Sequence, residues 1–322
     1  MRVGLRVPQY AGTWPDLRDA ALLAERLGFA HLWVNDHLQT PGRRARDAAF
    51  EGLTTLAALA PLTERVRLGT LVLSAGFRHP AVLAKSATAI DRLSGGRFEL
   101  GLGAGWFGDE FEAFGMPFGS VGERFALLEE TLGYLDALFG PEPSSFEGER
   151  FVLREAYNHP PPVQDPRPPI LVGGKGGPRL LRLAARYADG WNAAWRWTPE
   201  AYAERAVAAR EACERAGRDP ATFRLSLGLY AVVGEDEAEV VKRWEAIRLT
   251  LPAGVADAVG LDALRAEGLA GTPDQVLERL GAFAELGVEE LIVSPAPIWF
   301  AMPDPSMLDL LAEAVLPAAR EL

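Results

Sequence analysis

The sequence holds a single cysteine, Cys213, in 322 residues. One thiol cannot make an intrachain disulfide or a cysteine-based zinc site. Lysine is nearly as scarce, three against 30 arginines, a bias that reads as codon composition. No basic run is longer than Arg43-Arg44, and the formal net charge is −11. A nucleic-acid footprint needs clustered cations, so no nucleic acid is expected as a partner. No window reaches the roughly 18 apolar residues of a membrane span, so no membrane partner is expected either. The opening stretch Met1–Pro8 lacks the apolar run of a secretory signal and reads as a strand. A soluble, cytoplasmic protein is the expectation. Metal ligands do not cluster: there is no H-E-x-x-H and no repeated His/Asp pair, so no metal is expected. There is no G-x-S-x-G elbow, and Cys213 falls inside a helical pattern. Strong nucleophiles of the protein's own are therefore missing, which favours a bound cofactor.

What is present is a regular alternation. Apolar residues make up 48% and charged residues 24%, enough for a large core and a solvated surface. Strand-like runs cover Val3–Pro8, His31–Asn35, Val66–Leu73, Arg97–Gly105, Ile170–Gly173, Gly190–Trp195, Arg224–Val233 and Leu291–Pro295. Helical spacing follows each, over Leu17–Leu27, Leu53–Leu59, Ala81–Leu93, Glu123–Phe139, Arg179–Tyr187, Pro199–Ala216, Glu237–Thr250 with Pro273–Leu286, and Pro305–Leu316. Residues 251–270 look irregular. A proline-rich stretch, 140–168, reads as an ordered crossing loop with a small hairpin around Phe146–Leu153. Eight strand–helix units in one chain point to an α/β (β/α)₈ TIM barrel with loop insertions, one domain over 1–322. A doubly wound sheet is the alternative, but it usually has fewer units.

In such a barrel, chemistry sits at the carboxyl ends of the strands. Strand 2 ends Trp33-Val-Asn-Asp-His37, and an imidazole there can move protons near neutral pH. Asp36 and His37 read equally well as a capping acid and a loop ligand. His79, before Pro80, reads as structural. Strand 3 ends in small residues, Ser74 and Ala75, which suit a tight turn or close approach of a flat group. Strand 4 ends Gly101-Leu-Gly-Ala-Gly-Trp-Phe-Gly-Asp-Glu110, exposing Ala104, Gly105, Trp106 and Asp109. Its glycine spacing is not the dinucleotide fingerprint. Strand 5 runs Gly173-Gly-Lys-Gly-Gly-Pro-Arg179 into a helix, a backbone anion cradle to which Lys175 adds charge. Gly173, Gly174, Gly176 and Gly177 would hold a phosphate there, although a flexible turn has the same composition. Trp195 and Trp197 after strand 6, and Trp299 after strand 8, read as pocket walls or as packing.

Together these segments resemble the luciferase-like flavin and deazaflavin oxidoreductases. The carrying residues are Asn35-Asp36-His37, Arg78-His-Pro-Ala-Val-Leu-Ala-Lys85, Asp91-Arg-Leu-Ser-Gly-Gly-Arg97 through Trp106, Gly173–Gly177 and Ala188-Asp-Gly-Trp-Asn192. The resemblance implies a luciferase-like (β/α)₈ barrel. Asp-His after strand 2 is similar to the branch that uses coenzyme F420, a 5-deazaflavin, for hydride transfer. By that resemblance His37 is catalytic. Asp36, Ser74, Ala75, Ala104, Gly105, Asp109 and the Gly173–Gly177 stretch bind cofactor, with a non-prolyl cis bulge at Ser74-Ala75. Trp106, Trp195 and Trp299 face a small-molecule substrate. Trp106 stands where the family's sugar-phosphate dehydrogenases carry a catalytic Glu, which suggests a less polar substrate. The alternatives are an FMN-dependent monooxygenase using reduced flavin and O₂, with a flavin reductase as partner, or a flavin-binding protein without turnover. An aldolase or isomerase would want a Schiff-base lysine or paired acids, and Lys175 is the one candidate. A homodimer is expected from the family.

Overall fold

A computed structural model describes residues 1–7, 9–10, 12–40, 47–249, 260–295 and 305–322. Eight parallel strands close into a barrel: β1 (Arg2–Arg6), β2 (His31–Val34), β3 (Arg67–Thr70, continued by β4, Leu73–Ser74), β5 (Phe98–Gly103), β8 (Ile170–Gly173), β9 (Gly190–Trp195), β10 (Arg224–Val233) and β12 (Val288–Ser294). The β1–β12 pairing shuts the ring, with Gly4 opposite Ile292. β6 (Ser144–Glu147) and β7 (Val152–Ala156) form the expected antiparallel hairpin, with Phe146 opposite Leu153. Helices lie outside, and several begin or end at a capping residue the sequence offers there. Ser120 caps Val121–Leu138 in a capping box with Glu123, and Gly28 ends Trp14–Leu27 in the left-handed region at φ 87°. Among the described residues no helix is long and apolar enough to cross a membrane.

Three differences from the sequence reading have local causes. Residues 251–259 lie outside the described residues, but 260–270 are not irregular. Leu261–Glu267 is a helix and β11 (Leu269–Gly271) pairs with β10, both too short to show a period. The run Val66–Leu73 is not one strand: it breaks at a cis Leu71–Val72 bond into β3 and β4. A short helix, Gly108–Ala113, follows β5 where only a loop was expected.

The barrel centre is filled by Trp33, fully buried with Leu71, Leu171 and Ile292 around it. Its indole needs room on both neighbouring strands. A Cβ at Gly4 would lie 2.9 Å from Trp33 Nε1, and one at Gly69 would lie 2.2 Å from its ring. Below it, at the amino ends of the strands, sits a buried charged layer of His31, Glu99 and Glu290. The carboxyl ends above are therefore the end of the barrel that this packing leaves open to a ligand.

Candidate active site

A cavity of about 500 Å³ opens at the carboxyl ends of the strands. Asn35, Asp36 and His37 enter it from β2, Leu71–Ser74 from the β3–β4 break, and Gly103–Phe107 from β5. Gly173, Gly174 and Lys175 from β8 and Trp195 from β9 close the far side. The imidazole and the first part of the glycine run, Gly173 to Lys175, thus share one chamber.

His37 is 7% exposed, and its Nδ1 lies 2.9 Å from Glu110 Oε2. Glu110 is 1% exposed, and its Oε1 accepts from the amides of Leu38 and Gln39. One carboxylate therefore fixes both the ring and the backbone that carries it. With Nδ1–H donating to Glu110, Nε2 is the nitrogen that can exchange a proton. Trp106 and Phe107 meet the ring edge-on, with centroids 5.8 and 6.2 Å away. Asp36 is also spoken for. Its carboxylate takes two bonds from Arg78, at 2.6 and 2.7 Å, and one from the Ser74 amide at 2.8 Å. Glu51 is a second partner of Arg78. Burial opposes that cation, but bonds from Asp36 and the charge of Glu51 hold the Arg78 pKa above its ordinary value. This acid ties β2 to β4.

The cis bulge lies at Leu71–Val72, not at Ser74-Ala75. The resemblance placed it three residues late: the strand breaks at bulky Val72 and not at the small side chains after it. Val72 occupies space that three glycines vacate. A Cβ at Gly101, Gly103 or Gly173 would come 2.9, 2.9 or 2.6 Å from a Val72 methyl. Those glycines therefore seat a wall as well as opening the strand ends. Ser74 lines the cavity, whereas Ala75 is buried behind it. Gly105 has φ 77°, and a Cβ there would lie 2.7 Å from Ser74 Oγ.

Ala104 and Gly105 line the cavity as expected. Asp109 does not: it is exposed on the outer side of the Gly108–Ala113 helix, and Glu110 takes the inward position. The two acids are neighbours in sequence, and only the helical phase set by buried Phe111 tells them apart. Glu110, Arg78, Gln9 and Arg6, with the lining Asn35 and Asn192, are polar groups of this region to which the sequence alone assigned no role. Gln9 holds the Asn35 backbone, accepting from its amide at 2.6 Å and donating to its carbonyl at 2.9 Å.

At β8, Gly173, Gly174 and Lys175 face the cavity, whereas Gly176 and Gly177 are not among its lining residues. Gly176 has φ 68° and packs on Trp191, whose ring a Cβ would meet at 2.7 Å. Gly177 caps the ten-residue helix Pro178–Tyr187. Among the described residues the amides of Lys175, Gly176, Gly177, Arg179 and Leu180 find no protein acceptor. Lys175 Nζ rests 4.8 Å above the Trp197 ring and bonds the Arg196 carbonyl at 3.4 Å. Burial pulls its pKa below the ordinary value, Glu267 opposes this, and Arg196 adds to it. Trp195 lines the cavity and stacks on Tyr230 at 5.4 Å. Trp197 does not wall it; it is buried against Trp191 and Tyr202. Trp299 lies outside the described residues. Trp106 is 59% exposed at the rim.

Comparison with known proteins bears on the family and the fold. The family described as luciferase-like monooxygenase matches residues 1–290. An F420-dependent glucose-6-phosphate dehydrogenase of Beutenbergia cavernae is 31% identical over 99% of this chain and 98% of its own. An F420-dependent hydroxymycolic acid dehydrogenase of Mycobacterium tuberculosis is 36% identical over 68% of this chain and 59% of its own. Among solved structures, an F420-dependent secondary alcohol dehydrogenase in complex with an F420-acetone adduct superposes with TM-score 0.84. It is 22% identical, with 99% of both chains covered.

Proposed function

Because this chain belongs to the luciferase-like monooxygenase family, we propose that it is an oxidoreductase moving hydride between coenzyme F420 and a small organic substrate. The observation that carries the proposal is one cavity holding both a carboxylate-oriented imidazole and, at Lys175 and Leu180 past β8, backbone amides with no protein acceptor. The residues fit a flat, anionic cofactor. Val72, Leu73 and Phe111 supply an apolar wall, and the Gly173–Leu180 backbone with Lys175 offers donors and charge to a phosphate. Bound there, F420 supplies a two-electron carbon centre, C5, that takes or gives hydride.

The chain's own residues do the rest. His37 Nε2 takes the proton of a substrate hydroxyl, or returns it to a carbonyl oxygen. Glu110 holds the ring by Nδ1 and stabilises the imidazolium while the proton is on it. Asp36 acts through position, since Arg78 and the Ser74 amide occupy its oxygens. Trp106 and Phe107 pack edge-on against the ring and narrow the approach to it. The whole chain acts as one barrel domain, and pairing into a homodimer belongs to this reading.

Titrating the protein with F420 and with FMN, followed by cofactor fluorescence, tests the proposal. Saturable binding of F420 with weaker FMN binding is expected. Preference for FMN together with oxygen uptake would replace hydride transfer with monooxygenation.

A further inference from the structure

Among the described residues one buried cation, Arg6, has no carboxylate partner. Arg6 ends β1, and strand alternation puts it on the same inward face as Gly4, one layer above Trp33. It is 2% exposed. Its Nε donates to Ser294 Oγ at 2.9 Å. Its Cζ lies 5.6 Å from the centroid of Trp195, a cavity wall. With the Asn35 amide turned to satisfy its neighbours, Nη1 donates to that side chain at 3.1 Å. This amide joins Arg6 to the Leu71 carbonyl; Asn35 and Leu71 line the cavity, and Arg6 stands directly behind them.

None of these partners is an anion. Among the described residues no carboxylate pairs with Arg6, whereas Arg78, Arg224 and Arg243 are each paired with an acid. The ionisable groups that act on Arg6 are two phenols, Tyr10 and Tyr230. Burial raises both, Tyr230 to about 12, so they are neutral at ordinary pH and bring no counter-charge. Burial also lowers the Arg6 pKa, and the phenols offset this only in part. A guanidinium nevertheless stays charged, and a buried unpaired charge is a standing cost to a fold. A cost of that kind is retained where a ligand removes it.

The place selects the ligand. Round the barrel, β1 is four strands from β8, so Arg6 stands opposite the Gly173–Gly177 edge and addresses a different anion. Tyr10 bridges toward the reacting side, its ring centroid 6.3 Å from that of His37.

We propose that Arg6 receives the carboxylate of the substrate, making the substrates small hydroxy acids or oxo acids. For the reaction this rests on the hydride-transfer reading; for binding it does not. A hydroxy acid gives hydride from its carbinol carbon to oxidised F420 and its hydroxyl proton to His37. The oxo acid results, and the carboxylate stays unchanged on Arg6. The aromatic walls then meet the carbon skeleton, and the substrate is less apolar than Trp106 alone suggests.

Pyruvate and acetone differ chiefly in the carboxylate, and both are titrated by tryptophan fluorescence into the protein alone and with F420 bound. Pyruvate should bind roughly 30-fold or more tightly than acetone, and Arg6→Met should erase that margin. Arg6→Lys should keep part of it, since the charge remains. The melting temperature of Arg6→Met should hold or rise, because an apolar chain of similar size replaces an unpaired charge. Equal pyruvate affinity in wild type and Arg6→Met overturns the proposal, as does pyruvate binding no better than acetone. A fall in F420 affinity with pyruvate unaffected assigns Arg6 to the cofactor and also overturns it. Failure of F420 to bind at all removes the hydride-transfer reading, while the cofactor-free titration still decides on Arg6. Should Arg6→Met not fold, Arg6→Gln takes its place and must lose the same margin.

Discussion

At the scale of single residues, the site depends on which atom each acid occupies. Glu110 spends one oxygen on His37 and the other on the Leu38 and Gln39 amides, so it sets both the tautomer and the height of the ring. His37→Ala should cut turnover by roughly 10²–10⁴ while F420 affinity stays within a few-fold. Steady-state kinetics beside a fluorescence titration reads both quantities, and unchanged turnover takes His37 out of the mechanism. Glu110→Gln keeps an oxygen for the amides but offers no charge to an imidazolium. Turnover should fall by up to about 10²-fold, the scale of a slight misplacement, again without loss of cofactor binding. Loss of cofactor affinity in that variant would mean that Glu110 shapes the pocket and does not orient the base. Asp109, one residue earlier, is exposed, and Asp109→Asn should leave turnover within about twofold.

At the scale of elements, the break between β3 and β4 shapes the chamber, and glycines on two other strands make it fit. Gly173→Ala would place a Cβ 2.6 Å from a Val72 methyl. The strain should cost about 1–3 kcal/mol, read as a lower denaturation midpoint. In a Val72→Ala background only the Cβ remains, 3.3 Å away, so the cost of the same substitution should fall sharply. Equal costs in both backgrounds would show that Val72 is not what Gly173 accommodates. This also explains what could be read from the chain. The glycines after strands 4 and 5 were visible, but Val72 has the composition of an ordinary strand residue, so its bulge could only be misplaced. The (β/α)₈ order was legible because each long element carries its own period and caps, down to matching bounds at Ile170–Gly173 and Arg224–Val233. β11 and the Gly108–Ala113 helix were not, since three to six residues hold no period. The most recognisable motif, Asp91 through Arg97, builds scaffold. Asp91 takes the amides of Val163 and Gln164, pinning the proline-rich loop. Arg97 ties Thr63 and the Ala60 and Val66 carbonyls. Such motifs identify a family because the fold needs them, while the residues that choose a substrate stand elsewhere.

At the scale of the whole molecule, the end of the barrel away from the cavity is closed by charge. Five of the eight barrel strands contribute: His31 from β2, Arg67 from β3, Glu99 from β5, Arg224 from β10 and Glu290 from β12. His31 Nε2 lies 3.0 Å from Glu99 Oε1, and Nδ1 lies 3.0 Å from Glu290 Oε1, the latter outside hydrogen-bond angles. His31, Glu99 and Glu290 stand close enough to suggest a metal site, but Arg67 at 2.6 Å and Arg224 already claim Glu99 and repel a cation. A proton serves instead. Burial works against charging His31, but Glu290 and Glu99 more than offset it, so its pKa is raised above the ordinary 6.5. Burial likewise opposes charge on Glu99, yet the His31 bond and Arg224 hold that carboxyl far below its usual range. A raised histidine pKa in the folded state gives stability that is complete below the unfolded value. That stability is lost as pH climbs from about 6.5 through the folded value. Over that window stability should fall by up to about 1.4 kcal/mol per pH unit. In a chain of this size that lowers the melting temperature by about 1–3 °C per unit. His31→Gln cannot take up the proton, so its melting temperature should be flat over the same window, starting from a lower value because Glu99 loses a charged partner. Melting scans of both proteins from pH 6 to 9 provide the measurement. A wild-type curve as flat as that of the variant would mean that the imidazole is neutral in the fold and that the two arginines alone balance the two acids.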